Sequence, residues 1–205
     1  ADQAVSGYGD RLKAIKASIE KQDSIDDDGW LKMGLLSVIG QERKHYLNDY
    51  SKGYVDPSSS KDLLSVADDI LDSVKASGVQ GYVTASEASL EFDWRFRIAM
   101  QLHRRLGLVG PLRNQLSNRW TRLRTTLAAL TRIKKVGIND IQSLIDDKVS
   151  LLLVEFIDNR ILRTEAALNA LRAQYPGYAN KVQTLHLDRI MLNQELSKYS
   201  DLYKD

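Results

Sequence analysis

The sequence predicts an all-α protein, a multi-helix bundle with long helices. The 205-residue chain has only three prolines and twelve glycines, and it is rich in Leu, Ala, Lys, Arg, Asp and Glu, which suit helices. Apolar residues recur at spacings of three and four, as on one face of a helix, and no segment alternates apolar and polar residues as a strand does. With 43% apolar residues, the chain can bury a sizeable core.

Acidic residues and turn residues mark the ends of the first two predicted helices. The carboxylates at 26–28 precede an apolar segment and suit the positive end of a helix dipole, so a helix is expected from there to Gly53. Turn residues follow, and Ser59 or Ser60 is expected to cap a second helix that ends near Ala76.

The third helix is expected after a break at 78–81. Thr84 and Glu87 have the spacing of a capping box, which predicts a long helix from there to about Leu106. Gly107 then ends it, because glycine is the usual residue after a helix.

Two further long helices follow. Gly-Pro at 110–111 predicts a helix start with proline at the first position, and Gly137 is expected to close that helix. Asn139 and Gln142 resemble a second capping box, opening a helix to about Tyr175. The first of these two helices carries an apolar stripe at Leu112, Leu116, Trp120, Leu123, Leu127 and Leu130.

A short internal repeat affects the expected domain organisation. The pattern Gln-Glu-x-x-x-Tyr-x-x-x-Tyr occurs at 41–50 and again at 194–203, the second time within a last helix expected from about Tyr178. A true duplication would mean two similar helical units, and a chance match of so few residues is the alternative. The domain organisation expected is two helical units, 1–106 and 107–205, or one continuous domain.

Charge is distributed unevenly along the chain. Residues 1–93 carry ten Lys/Arg against seventeen Asp/Glu, residues 94–136 carry eleven against none, and residues 137–205 carry eight against ten. We call the eleven cations of the middle stretch the basic block. Its members are Arg95, Arg97, Arg104, Arg105, Arg113, Arg119, Arg122, Arg124, Arg132, Lys134 and Lys135.

The basic block predicts an anionic partner, either a phospholipid surface or an acidic face of a protein. Nucleic acid is the weaker interpretation, because Trp94 and Phe96 point to nearly opposite sides of a helix and cannot form one base-stacking platform. Internal pairing with the acidic first segment is the structural alternative. The acids concerned are Asp62, Asp68, Asp69, Asp72, Glu87, Glu91 and Asp93.

The helix expected up to Tyr175 carries a heptad-like apolar seam. Helices of this length bury a seam against a neighbour, either within the subunit or across a dimer interface, and we expect a homodimer. The seam residues are Ile157, Ile161, Leu168 and Leu171.

Catalytic and metal-binding patterns are missing from the sequence. The chain has no cysteine, and it contains no Gly-x-Ser-x-Gly, P-loop or dinucleotide-binding glycine motif, so we predict no enzyme, cofactor or metal site. His45 has Glu42 and Asp49 at helical-ligand spacing, which we interpret as a solvated face. The longest apolar stretch, at 149–157, is about half of a membrane span.

Two parts of the sequence resemble a known family. The segment 35–57, which reads LLSVIGQERKHYLNDYSKGYVDP, together with 63–72, resembles the cytosolic tail of bacterial sodium/proton antiporters of the monovalent cation/proton antiporter class. The stretches 163–168, 175–179 and 194–205 are similar to a helical region of the longer plant salt-tolerance and sperm-type exchangers. In those exchangers it lies between the membrane domain and a cyclic-nucleotide-binding domain.

The resemblance implies a cytoplasmic regulatory and dimerisation domain of a membrane sodium/proton antiporter. The ion-binding carboxylates of that family belong to the membrane domain, so the partners implied here are the transport domain of the same polypeptide, a second copy and an anionic lipid surface. The location implied is the cytoplasmic side of the cell membrane. The alternative is a free-standing helical adaptor that docks an acidic partner through its basic helices.

Overall fold

The structure is a computed structural model that describes residues 27–137 and 147–177, together with the single residues 180, 181, 184 and 191. Every regular element in this part of the chain is helical, so the all-α fold class is confirmed. The elements are α1 (Asp27–Ser51), α2 (Pro57–Ala88), α3 (Trp94–Leu106), α4 (Val109–Arg132), a π-helical turn (Ile133–Gly137) and α5 (Asp147–Gln174).

The first helix has the ends that the sequence predicts. Asp27 and Asp28 lie in the first turn of α1, where their carboxylates face the positive end of the helix dipole. The chain leaves the helix after Ser51 and turns at Gly53, whose φ of 70° is a left-handed conformation that glycine adopts without strain.

The cap of α2 differs from the prediction. Asp56 is the N-cap, and its carboxylate accepts a hydrogen bond of 3.0 Å from the backbone N–H of Ser59. Pro57 occupies the first helical position, where a missing N–H costs nothing. Ser59 and Ser60 therefore lie inside the helix, and the prediction that one of them caps it is wrong.

The predicted break at 78–81 is a kink. Gly78 adopts φ 58° and ψ −133°, and the helix then resumes and continues to Ala88. Thr84 and Glu87 lie inside this continuation, so the prediction that they open a helix is wrong. The helix continues because its last turns bury Tyr82 against the core, which outweighs the local breaking tendency of glycine.

The third helix begins ten residues later than predicted. Asp93 caps it, accepting a hydrogen bond of 2.8 Å from the backbone N–H of Phe96. Its end is confirmed, because Gly107 follows Leu106 in a left-handed conformation and donates to the carbonyl of His103.

The fourth helix begins two residues before Pro111, which is its third residue instead of its first. It passes after Arg132 into the π-helical turn, which ends at Gly137. The capping box at Asn139 and Gln142 and the second copy of the repeat lie outside the described residues. Most of the helix predicted from Tyr178 does as well, and its four described residues, 180, 181, 184 and 191, are helical.

The helices surround two apolar clusters. The first core joins α1 and α2 to the end of α4 and the first half of α5, with Leu35, Ile70 and Leu153 fully buried. The second core joins α3 to the first half of α4 and the end of α5, around Phe96 and Trp120. Both cores combine residues from either side of Gly107, and the division into two units there stays a prediction.

The predicted stripe of α4 is confirmed. Leu112, Leu116, Trp120, Leu123 and Leu130 are buried, and Leu127 packs partly buried against the second core. A search of the helices that the structure describes finds none with the length and apolar character needed to cross a membrane.

Two glycines make a matched test of the kink. A Cβ at Gly81 would lie 1.9 Å from the carbonyl oxygen of Ser73, whereas a Cβ at Gly40 meets nothing within 4 Å. We expect Gly81→Ala to lower the free energy of unfolding by about 1–3 kcal/mol through overpacking. Gly40→Ala should raise it by about 0.5–1 kcal/mol through helix propensity. Urea denaturation of both variants measures this, and equal effects would contradict the described kink.

Candidate functional site

The basic block occupies three consecutive elements. Its first four cations lie on α3, the next five on α4, and Lys134 and Lys135 on the π-helical turn. The structure therefore does not gather all eleven cations at one point, and their surroundings divide them into an internal and an external group.

Arg119 belongs to the internal group. Its guanidinium lies 3.9 Å from the ring centroid of Phe92 and donates hydrogen bonds to the carbonyls of Leu90 and Glu91, the latter at 2.8 Å. Burial, with the neighbouring charge of Arg122, lowers the pKa of Arg119 to about 10. This arginine therefore fastens the link between α2 and α3 onto α4 and does not face a partner.

Two further members of the basic block form ion pairs across the first core. Arg132 holds both carboxylate oxygens of the buried Asp49, at 2.9 and 3.0 Å. Lys134 lies 2.6 Å from a carboxylate oxygen of Asp158 on α5. These cations tie the end of α4 to α1 and to α5.

The acids proposed for internal pairing mostly have other partners. Asp68 pairs with Arg43, Asp72 with Lys75 at 3.0 Å, and Glu87 with Arg163. Asp93 is the cap of α3. None of these four contacts takes a cation from the basic block, whereas the ion pair between Arg132 and Asp49, an acid outside the predicted set, does join the block to the acidic first segment.

The cations of α3 form the external group. Arg95, Arg97, Arg104 and Arg105 are exposed, and the same helix exposes Trp94, Ile98 and Leu106. Arg113, on α4, is exposed as well, whereas Arg122 and Arg124 are half-buried. Burial and the charge of Arg172 lower the pKa of Arg124.

The predicted seam of α5 faces the chain's own helices. Ile157 is fully buried in the first core, with Ile161 packed partly buried against it, and Leu168 and Leu171 lie in the second core. Thr164, in the gap of the seam, is buried and donates to the carbonyl of Arg160 at 2.7 Å. The seam is therefore used within the chain.

A buried ion pair lies at the centre of the first core. Glu42 on α1 is fully buried, and both of its carboxylate oxygens accept hydrogen bonds from the guanidinium of Arg160 on α5, at 2.7 and 2.8 Å. The Arg160 side chain is 4% exposed. Burial by itself would lower the pKa of Arg160, but the Glu42 carboxylate raises it, so the guanidinium stays charged.

Two tyrosines complete this polar cluster. Tyr46 donates to the Glu42 carboxylate, and its hydroxyl lies 3.0 Å from the Thr126 hydroxyl on α4. The ring of Tyr82, from the kinked end of α2, lies 5.7 Å from the guanidinium carbon of Arg160. The cluster thus joins four helices, and we call Glu42, Arg160, Tyr46, Tyr82 and Thr126 the buried polar cluster.

The sequence interpretation missed this cluster. It placed Glu42 and Asp49 on a solvated face, which is wrong because both are buried and paired with arginines. The signal was present: Glu42 stands three or four residues from Ile39 and Tyr46, in phase with the apolar face of α1. The partner Arg160 is 118 residues away and no local pattern identifies it.

Metal binding has no support in the geometry around His45. Its two neighbours at ligand spacing are engaged by arginines, and burial followed by the charge of Arg132 lowers the pKa of His45. The described part of the chain contains no group of three His, Cys, Asp or Glu side chains that could hold a metal ion.

Comparisons of the chain with protein-family models, with curated proteins and with solved structures found no match.

The buried ion pair can be tested with a double-mutant cycle. Glu42→Leu or Arg160→Met alone leaves one buried charge unpaired and should lower the free energy of unfolding by about 3–5 kcal/mol. The double variant removes both charges and should recover most of this loss, because an apolar pair of similar volume replaces an ion pair at little cost. Urea denaturation of the wild type, both single variants and the double variant gives the four free energies of unfolding that the cycle compares. Asp72→Asn, in an exposed pair, is the control and should cost at most about 1 kcal/mol.

Single variants that each cost under about 1 kcal/mol, or a double variant as unstable as the sum of the two, would contradict a tightly paired Glu42–Arg160 contact.

Alkaline pH tests the burial of the tyrosines. Burial raises the pKa of Tyr46 and of Tyr82 above the ordinary value of 10.0. Below pH 10 both tyrosines are protonated in the folded and in the unfolded chain, so their ionisation does not lower the free energy of unfolding. Above it the unfolded chain releases its tyrosine protons first, so the free energy of unfolding should fall, by up to about 1.4 kcal/mol per pH unit for each tyrosine.

Tyr82→Phe separates this effect from packing. The Tyr82 hydroxyl lies near Arg160 and Ser86 but makes no hydrogen bond of normal geometry among the described residues, so this variant should change the free energy of unfolding little at pH 7. It should make the loss above pH 10 shallower. An unchanged alkaline slope, measured by urea denaturation at several pH values, would show that the hydroxyl is not buried in the folded chain.

Proposed function

We propose that the chain is a cytoplasmic regulatory and dimerisation domain of a membrane sodium/proton antiporter and that it performs no reaction of its own. The observation that carries this proposal is the placement of the segment resembling antiporter tails. Residues 35–57 form most of α1 and the turn into α2, and this segment supplies Glu42 and Tyr46 to the buried polar cluster.

The residues that carry the resemblance also have defined structural roles. Gly53 allows the left-handed turn after α1, and Asp56 with Pro57 starts α2. The residues that carry the resemblance form turns and caps of helices, and they are not catalytic groups. This supports a regulatory domain over an enzyme.

The geometry of α5 suits the transmission of a displacement. This helix runs from Val149 in the first core to Leu171 in the second, about 33 Å at 1.5 Å per residue. Arg160 fixes its middle to α1. Because close-packed helices move as units, a force at one end of α5 would shift the other end.

Regulation of transport then requires only differential binding. The domain would bias the transport domain of the same polypeptide between its two access states if it bound one of them more tightly than the other. A coupling of about 1–3 kcal/mol is typical of such regulation.

The proposed homodimer needs a face other than the predicted seam, since the chain's own helices cover those residues. The outer side of α5 exposes Leu151 and Leu162, at 71% and 64%. They are eleven residues apart and so lie nearly in line along the helix. We propose this side as the dimer contact.

The proposal predicts that core variants change regulation and not the transport step. The sample is the complete polypeptide that contains this chain, in everted membrane vesicles, with cation-driven dissipation of a pH gradient as the readout. We expect Glu42→Leu to shift the cation concentration for half-maximal transport several-fold while transport persists. Glu42→Leu/Arg160→Met should restore it, because the double variant repacks the core.

Gly40→Ala is the control in this assay, because it changes an exposed position of the same helix. Identical cation dependence in all variants would contradict regulation by this domain. A reading frame without membrane spans on the same polypeptide would contradict the antiporter assignment and favour the free-standing adaptor.

A further inference from the structure

The outward side of α3 carries a continuous apolar row. Trp94, Ile98, Leu102 and Leu106 follow one another at intervals of four residues, so each is offset by about 40° from the one before. Trp94, Ile98 and Leu106 are 65%, 46% and 66% exposed. We call these four residues the apolar row.

The fold leaves Trp94, Ile98 and Leu106 of the apolar row exposed, whereas Leu102 is half-buried. The inner side of α3 is formed by Phe96 and Ala99, which are buried in the second core. A surface helix normally turns polar residues to the opposite side, so apolar residues on both sides of a short helix indicate a second contact surface.

Cations surround the apolar row. Arg105 lies between Trp94 and Ile98 in helical projection, and Arg97 and Arg104 lie along one flank. Arg95 projects between Leu102 and Leu106, and its guanidinium carbon lies 5.7 Å from the Trp94 ring centroid. All four arginines are exposed.

The helix itself carries no carboxylate, although the exposed Glu91 lines the same concavity as Arg97 and Arg104 on one flank. The nearest acids in sequence, Glu91 and Asp93, precede the helix, and the Asp93 carboxylate is bound to the backbone N–H of Phe96. No acid occurs at 94–136. At the other end of α3, Leu108 and Val109 are 46% and 59% exposed and extend the apolar surface past Gly107.

We propose that α3 lies in the plane of an anionic phospholipid surface. The apolar row would enter the boundary between headgroups and acyl chains, and Arg95, Arg97, Arg104 and Arg105 would contact lipid phosphates and carboxylates. Exposed Trp and Leu beside arginines, on a helix that carries no acid of its own, are the pattern of an interfacial amphipathic helix. Tryptophan in particular favours the headgroup level, because one edge of its ring is polar.

The charges of the chain segments outside the described residues favour a lipid surface, and not another part of this chain, as the contact of the apolar row. Residues 1–26 contain four Lys/Arg and five Asp/Glu, and residues 178–205 contain four of each. Residues 138–146 contain two Asp and no Lys/Arg. None of these three segments carries a net negative charge that matches four exposed arginines. Nucleic acid would supply phosphate but would leave the aliphatic row facing water or polar groups, which an interfacial helix avoids.

This inference goes beyond the proposed function and does not depend on it. Lipid binding is measured on the 205-residue chain without any transport domain, so either proposal can fail while the other stands.

Vesicle binding tests the proposal. The full chain is mixed with vesicles of phosphatidylcholine alone or of phosphatidylcholine with phosphatidylserine, and binding is measured by co-sedimentation. We expect binding to the anionic vesicles, weakening as salt is raised. Arg95→Gln/Arg105→Gln should weaken it about 25-fold, at about fivefold for each cation. Lys44→Gln/Lys61→Gln removes the same charge from exposed positions of α1 and α2 and should leave binding nearly unchanged.

Fluorescence locates the contact. Lipids brominated along the acyl chain should quench the tryptophan emission of the bound protein, and Trp94→Phe should remove most of that quenching while binding persists. Of the other two tryptophans, Trp120 is buried in the second core and Trp30 packs partly buried against the first core, so we expect neither to reach the bilayer. Trp30→Phe serves as the control and should leave the quenching nearly unchanged. Ile98→Ser should weaken binding about tenfold, because it removes apolar area from the row. Circular dichroism of each variant verifies that the helices are intact.

Several results would overturn the proposal. They are equal binding to neutral and anionic vesicles, no binding to either, quenching that survives in Trp94→Phe, or an unchanged affinity in Arg95→Gln/Arg105→Gln. Protection of Trp94 from iodide in the free protein would show that the chain covers its own apolar row. Binding to duplex DNA without binding to anionic vesicles would assign the surface to nucleic acid instead.

Discussion

The packing of this bundle depends on one buried ion pair, between Glu42 on α1 and Arg160 on α5. Removing both charges from water costs several kcal/mol for each, and only close pairing with further hydrogen bonds compensates for that cost. Here the carboxylate accepts two hydrogen bonds from the guanidinium and one from the Tyr46 hydroxyl. This two-point contact has one favourable geometry and, together with the close-packed apolar residues around it, holds α5 against α1 in one register.

The other interhelical contacts follow from that register. With Arg160 at Glu42, Leu153 and Ile157 fall in the first core, and Leu168 and Leu171 reach the second. The same arrangement brings Asp158 within reach of Lys134 on the π-helical turn. The two cores are thus connected through α5. A regulatory domain needs such a connection if binding at one end of the bundle is to change the structure at the other end.

The cations of the basic block serve two purposes that composition does not separate. Arg119, Arg132 and Lys134 bond to carbonyls or carboxylates of neighbouring elements and hold the bundle together. The arginines of α3 point outward beside exposed apolar residues. A count of charges identified an unusual segment, but only the fold shows which of its charges remain available to a partner.

The sequence predicts a helix end or an apolar face correctly where residues of the same helix determine it. The prediction is wrong where contacts with residues far along the chain determine it. The stripe of α4, the turn at Gly53 and the stop at Gly107 depend on local geometry and were predicted. The capping box at Thr84 and Glu87 failed because the burial of Tyr82 extends α2 past Gly78. Asp56 and Asp93 were missed as caps, because several residues near each helix start could accept the same hydrogen bond.

The burial of charge was the larger omission. Glu42 lies in phase with the apolar face of α1, yet an acid on a charged helix is normally solvated, and its partner lies on another helix far along the chain. The seam of α5 was recognised correctly as a packing surface, but periodicity does not distinguish a neighbour in the same chain from one in a second copy.

Native-state hydrogen exchange, measured by mass spectrometry on the wild type and on Glu42→Gln, tests the central role of the ion pair most directly. Our account predicts that the variant loses amide protection in α1 and in α5 together, along the whole length of both helices, because the contact between them sets their common stability. Loss confined to the turn around residue 42, with α5 protected as in the wild type, would contradict it.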